Sequence, residues 1–155
     1  MKGKTPIIAS TGSWKNLTIS GIIVTSPCAV RLRLFLRIFP GSMNARDILR
    51  FLKELKINLN GKKLLLIWDG LPAHRAKIIQ EYASRERGWL RLERFPAYAP
   101  ELNPIEYLWS AMKRKDIANH VPDGCITLKR TIRRAGRRLS DTHLLKGFLE
   151  ASTLY

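Results

Sequence analysis

The five residues Leu64 to Trp68 are apolar without interruption, and the run stops at Asp69-Gly70. A strand with one wet face alternates apolar and polar residues, so a run that does not alternate calls for cover on both faces. A run this short suits a strand better than a helix. Helices must then lie above and below the sheet, which makes an α/β architecture the expectation. The flanking segments supply those helices. Upstream, Ile48, Leu49, Phe51, Leu52 and Leu55 recur at helical spacing behind Asn44, a natural N-cap with Asp47 three residues on. This helix is expected to stop before Asn60-Gly61. Downstream, Pro72 opens a second helix that reaches about Arg87 and ends at Gly88.

The rest of the chain follows the same logic. Residues 14–25 are rich in Ile, Val and Thr and read as a strand, broken by Ser26-Pro27. Residues 29–39 then alternate Val30, Leu32, Leu34, Leu36 and Ile38 with Arg31, Arg33 and Arg37, the period of a strand with one buried face. Two strands across so short a break predict an antiparallel pair. A short extended piece is expected at residues 6–9. Residues 89–93 form a further short strand, 95–103 a loop punctuated by Pro96 and Pro100, and 104–115 a third helix. After a loop at 119–125, two basic helical pieces cover about 127–139 and 141–149. The order β-β-α-β-α-β-α with a helical tail predicts a mixed sheet flanked by helices. The length of 155 residues suits one domain, and no repeat or low-complexity linker divides it.

Charge narrows the partners. Lys plus Arg number 28 against 12 Asp plus Glu, a formal +16. A chain this basic repels itself unless it meets a polyanion. No basic amphipathic helix with a strong apolar face stands out, so nucleic acid leads over an anionic membrane. Charge of this kind carries neither sequence specificity nor chemistry. No apolar run approaches the roughly 20 residues of a membrane span. Nothing at the N-terminus reads as a secretory signal, and the cytoplasm is the default expectation. Cys28 and Cys125 lie far apart without CxxC or Cys/His spacing, which speaks against a zinc site.

Two acids carry the chemistry. Asp69 stands where a buried strand ends, and α/β sheets bind ligands beyond the carboxyl ends of their strands. It also suits a simple Asp-Gly turn. Glu106 follows Asn103-Pro104-Ile105, which reads equally as N-cap, first helical residue and capping-box partner. Taken together, a strand-end Asp and a helix-start Glu can converge. Two carboxylates side by side repel unless a cation lies between them, and hard oxygen donors favour Mg²⁺ or Mn²⁺. Two such ions about 3.5–4 Å apart can activate a water and stabilise the leaving oxygen at a phosphodiester.

The segment LLLIWDGLPAHR, followed by FPAYAPELNPIEYLWSAMK, resembles the DDE transposases of the mariner superfamily, in their bacterial insertion-sequence branch. In that family the second catalytic acid ends a strand and a His follows a few residues later, as Asp69 and His74 do. The third acid is the Glu of a P-x-Y-S-P-x-L-N-P-I-E-x-x-W segment. Pro96, Tyr98, Pro100, Leu102, Asn103, Pro104, Ile105, Glu106 and Trp109 match that segment. Ala99 replaces the commoner Ser, and Gly70 the commoner Asn. The second motif is long and specific; the Asp-to-His motif is short. Resemblance runs more loosely back to about residue 4 and fades after about Ala118. It implies an RNase H-like fold and metal-dependent cleavage and transfer of DNA strands. Asp69 and Glu106 would then be the catalytic, metal-holding acids, and two Mg²⁺ or Mn²⁺ ions are expected in a complete site. His74 and Lys113 would touch DNA, which enters as transposon ends and target.

The resemblance also implies a first Asp, at the end of a central first strand upstream of the antiparallel pair. The only acids before Asp69 are Asp47 and Glu54, both within the expected first helix. The expectation is therefore a truncated RNase H-like DDE catalytic domain over residues 1–118, missing its first central strand. A basic helical tail follows over 119–155. Such a chain would be the C-terminal part of the domain and inactive alone. It would lack the upstream helix-turn-helix that reads transposon ends, and could work with a separately encoded N-terminal half or as a homo-oligomer. The rival reading is a non-catalytic DNA-binding protein whose phosphate contacts come from the basic residues between Lys113 and Arg138. An RNA-binding module is a third, without an aromatic RNA-binding motif behind it.

Overall fold

Strand β1 (Leu17–Thr25) and strand β2 (Leu32–Pro40) form the expected antiparallel pair, with Leu17 opposite Pro40 and Thr25 opposite Leu32. The computed structural model describes residues 17–27, 30–96, 99–118 and 125–152. The extended piece expected at 6–9, and the ends of the expected strands at 14–16 and 29, lie outside the described residues. The period of two is realised on β2. Leu32, Leu34, Leu36 and Ile38 pack inward, while Arg33 and Arg37 are exposed.

Helix α1 (Ala45–Asn58) begins with a complete capping box. The Asn44 side chain accepts from the Arg46 and Asp47 amides, and the Asp47 carboxylate accepts from the Asn44 amide at 3.1 Å. Ile48, Phe51, Leu52 and Leu55 make its buried face. The chain then reverses through Asn60 (φ 51°) and Gly61 (φ 66°), both in the left-handed region that these two residue types enter at least cost. Strand β3 (Leu64–Trp68) follows and runs parallel to β4 (Leu90–Arg94), with Leu64 opposite Leu90.

Between β3 and β4 the structure departs from the sequence reading. Pro72 opens only a 3₁₀ turn, Pro72–Arg75; Ala76 is extended (ψ 141°) and α2 occupies Lys77–Arg85. The turn is closed by contacts over three to five residues. The His74 ring is tied back to Asp69, and the Ala76 amide closes the turn on the Ala73 carbonyl. The third helix is also shorter than expected. Helix α3 (Pro104–Met112) passes into a π-helical turn at Lys113–Ile117. Helices α4 (Cys125–Leu139) and α5 (Thr142–Ala151) close the chain.

Two cores result. Leu108, Met112, Ile132, Leu139, Leu145 and Leu149 bring α3, α4 and α5 onto one face of β1 and β2. Ile48, Leu52, Leu66, Ile79, Trp89 and Leu90 join α1 and α2 to β3 and β4. Strand β1 serves both, through Ile19 and Ile23 on the first core and Ile22 on the second. The close seat of α3 depends on Gly21. A Cβ there would lie 2.8 Å from the Trp109 ring and 2.8 Å from Leu36. One feature of the strands differs from a single mixed sheet. The described strands form two two-stranded sheets, β1-β2 and β3-β4, and β1 is not bonded to β3. Among the described residues no helix is long and apolar enough to cross a membrane.

Candidate active site

Asp69 follows β3 directly, and its side chain is 50% exposed. One carboxylate oxygen is braced. Oδ1 accepts from the Leu71 amide at 3.2 Å and lies 2.8 Å from His74 Nδ1. The same nitrogen is 3.2 Å from the Asp69 carbonyl. Both neighbours are acceptors, so Nδ1 is a nitrogen that carries a proton. The His74 ring is itself held, stacked on Trp68 at 4.3 Å with 2° between the planes, and only 12% of its side chain is exposed. Strand end, turn and ring thus fix one oxygen of Asp69. Its Oδ2 has no hydrogen-bond partner among the described residues. Outer hydrogen bonds of this kind orient a carboxylate for a ligand on its other oxygen.

Glu106 lies in the first turn of α3, and only half of its expected capping box exists. Asn103 is the N-cap, accepting from the Ile105 amide at 3.3 Å, and Pro104 is the first helical residue. The Asn103 amide, which a capping box would give to Glu106, donates instead to the Pro100 carbonyl at 3.0 Å. The preceding 3₁₀ turn, Pro100–Leu102, takes that donor first. The Glu106 carboxylate is exposed and makes no hydrogen bond or ion pair among the described residues.

This leaves it unusual in a chain with so few acids. Asp47 and Asp141 cap helices. Glu54 pairs with Arg37, Glu86 with Lys56 and Asp116 with Arg138. Glu81, Glu93 and Glu150 each sit within ion-pair distance of a Lys or Arg on their own element. Among the described acids, only Asp69, Glu101 and Glu106 face neither an Arg nor a Lys and cap no helix. Glu101 and Glu106 bracket residues 103–105 in sequence, and those residues line a cavity together with Asp69.

This cavity, of about 390 Å³, is lined by residues 20–25 of β1, residues 64–69, His74 and residues 103–105. It brings Asp69, His74 and the start of α3 to one opening. Glu106 stands one residue beyond its wall. Lys113 is exposed at the head of the π-helical turn and does not line it. No group of three His, Cys, Asp or Glu side chains is close enough among the described residues to hold a metal ion. Tyr98 of the sequence motif lies outside the described residues. The sequence reading missed two supporting residues, Trp68 beneath His74 and Gly21 beneath Trp109. Neither has a local signal, because each acts through a neighbour distant in sequence or a ring orientation set by the fold.

The model of the DDE superfamily endonucleases matches residues 1–128. The chain belongs to that family. Solved structures agree on the fold. The catalytic domain of Mos1 mariner transposase superposes with a TM-score of 0.51 at 15% identity, covering 90% of this chain and 82% of that one. The same domain with raltegravir and Mn, and with raltegravir and Mg, matches equally well, with 83% and 84% of those chains covered. No curated protein matches significantly. This DDE endonuclease chain therefore shares the mixed α/β, RNase H-like organisation of the transposase catalytic domain. In this DDE chain the matched region contains both Asp69 and Glu106. The family model extends into the N-terminal part of α4 and stops short of α5.

Proposed function

We propose that this chain is a transposase catalytic unit of the bacterial insertion-sequence type, acting in DNA transposition, with Asp69 and Glu106 as its catalytic, metal-holding acids. The observation that carries this reading is the pair of unspent carboxylates, one at the end of β3 and one at the start of α3. The donor set suits a hard divalent cation such as Mg²⁺ or Mn²⁺. Asp69 offers Oδ2 and Glu106 offers both oxygens. Bound ions supply Lewis-acid polarisation of a phosphodiester and a deprotonated water. The residues of the chain position and orient. The proton on His74 Nδ1 holds Asp69, and Trp68 keeps the ring in plane. His74 Nε2 and Lys113 are available as DNA contacts. The 1–118 unit would carry this chemistry and the 119–155 tail would add phosphate contacts.

A complete site of this type takes a third acid. The two upstream candidates are occupied, Asp47 in its capping box and Glu54 with Arg37 at 2.8 Å. The chain alone is therefore expected to be the C-terminal part of a working site and not to cleave DNA. The test is Mn²⁺ titration of the full chain followed by electron paramagnetic resonance, with Asp69→Ala and Glu106→Gln alongside. Retained Mn²⁺ affinity in both variants would overturn the assignment. A second reading, a non-catalytic DNA binder, has one observation in its favour: Arg130, Arg133, Arg134 and Arg137 of α4 are all exposed, while Arg138 is bound to Asp116. It predicts salt-sensitive DNA binding that neither acid substitution alters.

A further inference from the structure

Strand β2 pairs with β1 on one edge and has no strand on the other among the described residues. The register fixes which backbone groups lie on that open edge. The Ser26 amide donates to the Arg31 carbonyl at 2.9 Å, so Ser26 and Arg31 are a hydrogen-bonded pair at the head of the ladder. Bonded and non-bonded pairs alternate along an antiparallel ladder. Arg33, Phe35 and Arg37 therefore bond to β1, while Leu34, Leu36 and Ile38 turn their N–H and C=O groups outward. A cavity of about 580 Å³ lies beside that edge, lined by Leu34, Leu36 and Ile38 and by Arg133, Gly136 and Arg137 of α4. Gly136 lets the helix come down on β2, since a Cβ there would lie 2.7 Å from Leu36. Arg133 and Arg137 are exposed, and neither has an acid within ion-pair distance among the described residues. Arg37 also lines the cavity but pairs with Glu54 at 2.8 Å. The cavity shares no lining residue with the one that holds Asp69.

We propose that this groove is a docking site for an extended acidic segment of a second protein, with carboxylates at alternate positions over about five residues. The open edge calls for a backbone as partner. It offers N–H and C=O groups in equal number, and an added strand satisfies both. A phosphodiester backbone brings acceptors only, and would leave the carbonyls of Leu34, Leu36 and Ile38 facing its charge. The arginines select the side chains. Residues one helical turn apart, as Arg133 and Arg137 are, stand about 6 Å apart, and alternate residues on one face of a strand about 6.6 Å apart. One face of the segment can therefore give a carboxylate to each guanidinium. Arg130 and Arg134 do not line the groove and stay available for phosphate contacts. A second copy of β2 is unsuited. It would bring Arg33 and Arg37 of two edges together, and like charges across a strand pair repel. Nothing in this site depends on a metal at Asp69 and Glu106.

The probe is a dye-labelled peptide with the core Glu-Val-Glu-Val-Glu, titrated against the full chain without metal. A Gln-Val-Gln-Val-Gln control should bind at least ~5-fold more weakly, and the double variant Arg133→Gln/Arg137→Gln should remove that preference. Two further peptides are N-methylated, on the Glu amides or on the Val amides. Only one alternate set of amides can face β2, so one form should bind at least ~10-fold more weakly than the other. Loss with the Glu set makes the added strand antiparallel to β2, and loss with the Val set makes it parallel. Amide exchange by NMR should show Leu34, Leu36 and Ile38 slowing on binding, with Phe35 and Arg37 unchanged because β1 already holds them. Failure of those three amides to slow at saturating peptide overturns the proposal. Equal binding of the two methylated forms, or of the Glu and Gln peptides, does the same. So does exchange already as slow as that of Phe35 in the chain alone, which means a covered edge. A short DNA duplex tests the rival occupant. If duplex slows the three amides and peptide does not, the groove is a phosphate site and the docking site is lost.

Discussion

Helices α1 and α3 start with nearly the same words and use them differently. Each has an Asn at its N-cap and an acid three residues on, Asn44 with Asp47 and Asn103 with Glu106. In α1 both halves of the box close, and Asp47 is further held near Arg50 at 3.7 Å. In α3 the Pro100 carbonyl has already taken the Asn103 amide, so Glu106 has nothing to return to. A helix-start acid is stabilising wherever it is satisfied locally, and available for chemistry only where its backbone partner is spent elsewhere. The same contrast separates Asp47 from Asp69. One is consumed by its own helix, while the other is braced by His74 through one oxygen and open at the other.

The widest expected separation is in function. On the function proposed above, and with an acid-bearing strand supplied in trans, Asp69→Ala and Glu106→Gln should each reduce Mn²⁺-dependent nicking of DNA ends to background, whereas Asp47→Asn should leave it near the parent rate. A gel-based nicking assay reads this, and equal loss in all three would erase the distinction. Next in size is the seat of α3. Gly21→Val drives a branched side chain into the Trp109 ring, and should cost about 1–3 kcal/mol in urea unfolding, with Mn²⁺ affinity falling as Glu106 shifts. Stability of the two caps should then differ in the opposite sense to function. Asn44→Ala breaks a full box and should cost about 1–2 kcal/mol, against about 0.5–1 kcal/mol for Asn103→Ala, which loses one bond of 3.3 Å. The smallest effect expected is Glu106→Gln on stability, within about 0.5 kcal/mol. A larger cost in thermal or urea unfolding would mean that the carboxylate is engaged in the fold after all.

Much of this molecule was readable without coordinates. The alternation on β2, the unbroken run of β3, the Asn44–Asp47 box and the turn at Asn60-Gly61 are local, so period and residue type suffice to place them. The proposed site rests on residue identities, because the P-x-Y-x-P-x-L-N-P-I-E-x-x-W motif is long enough to be specific. Its support was not readable from them. Whether Pro72 continues into a helix depends on a bond from His74 to Asp69, and whether Glu106 caps depends on which carbonyl reaches the Asn103 amide first.

The residue pattern by itself determined the strands, the helix starts and the positions of the two acids, since backbone preference and apolar spacing act over a few neighbours. Tertiary structure alone decided which acids stay unspent and that the sheet opens between β1 and β3. The first depends on which nearby group reaches a donor first, as the Pro100 carbonyl does at Asn103, and the second on strands far apart in the chain; a donor or a strand edge satisfied once is no longer available.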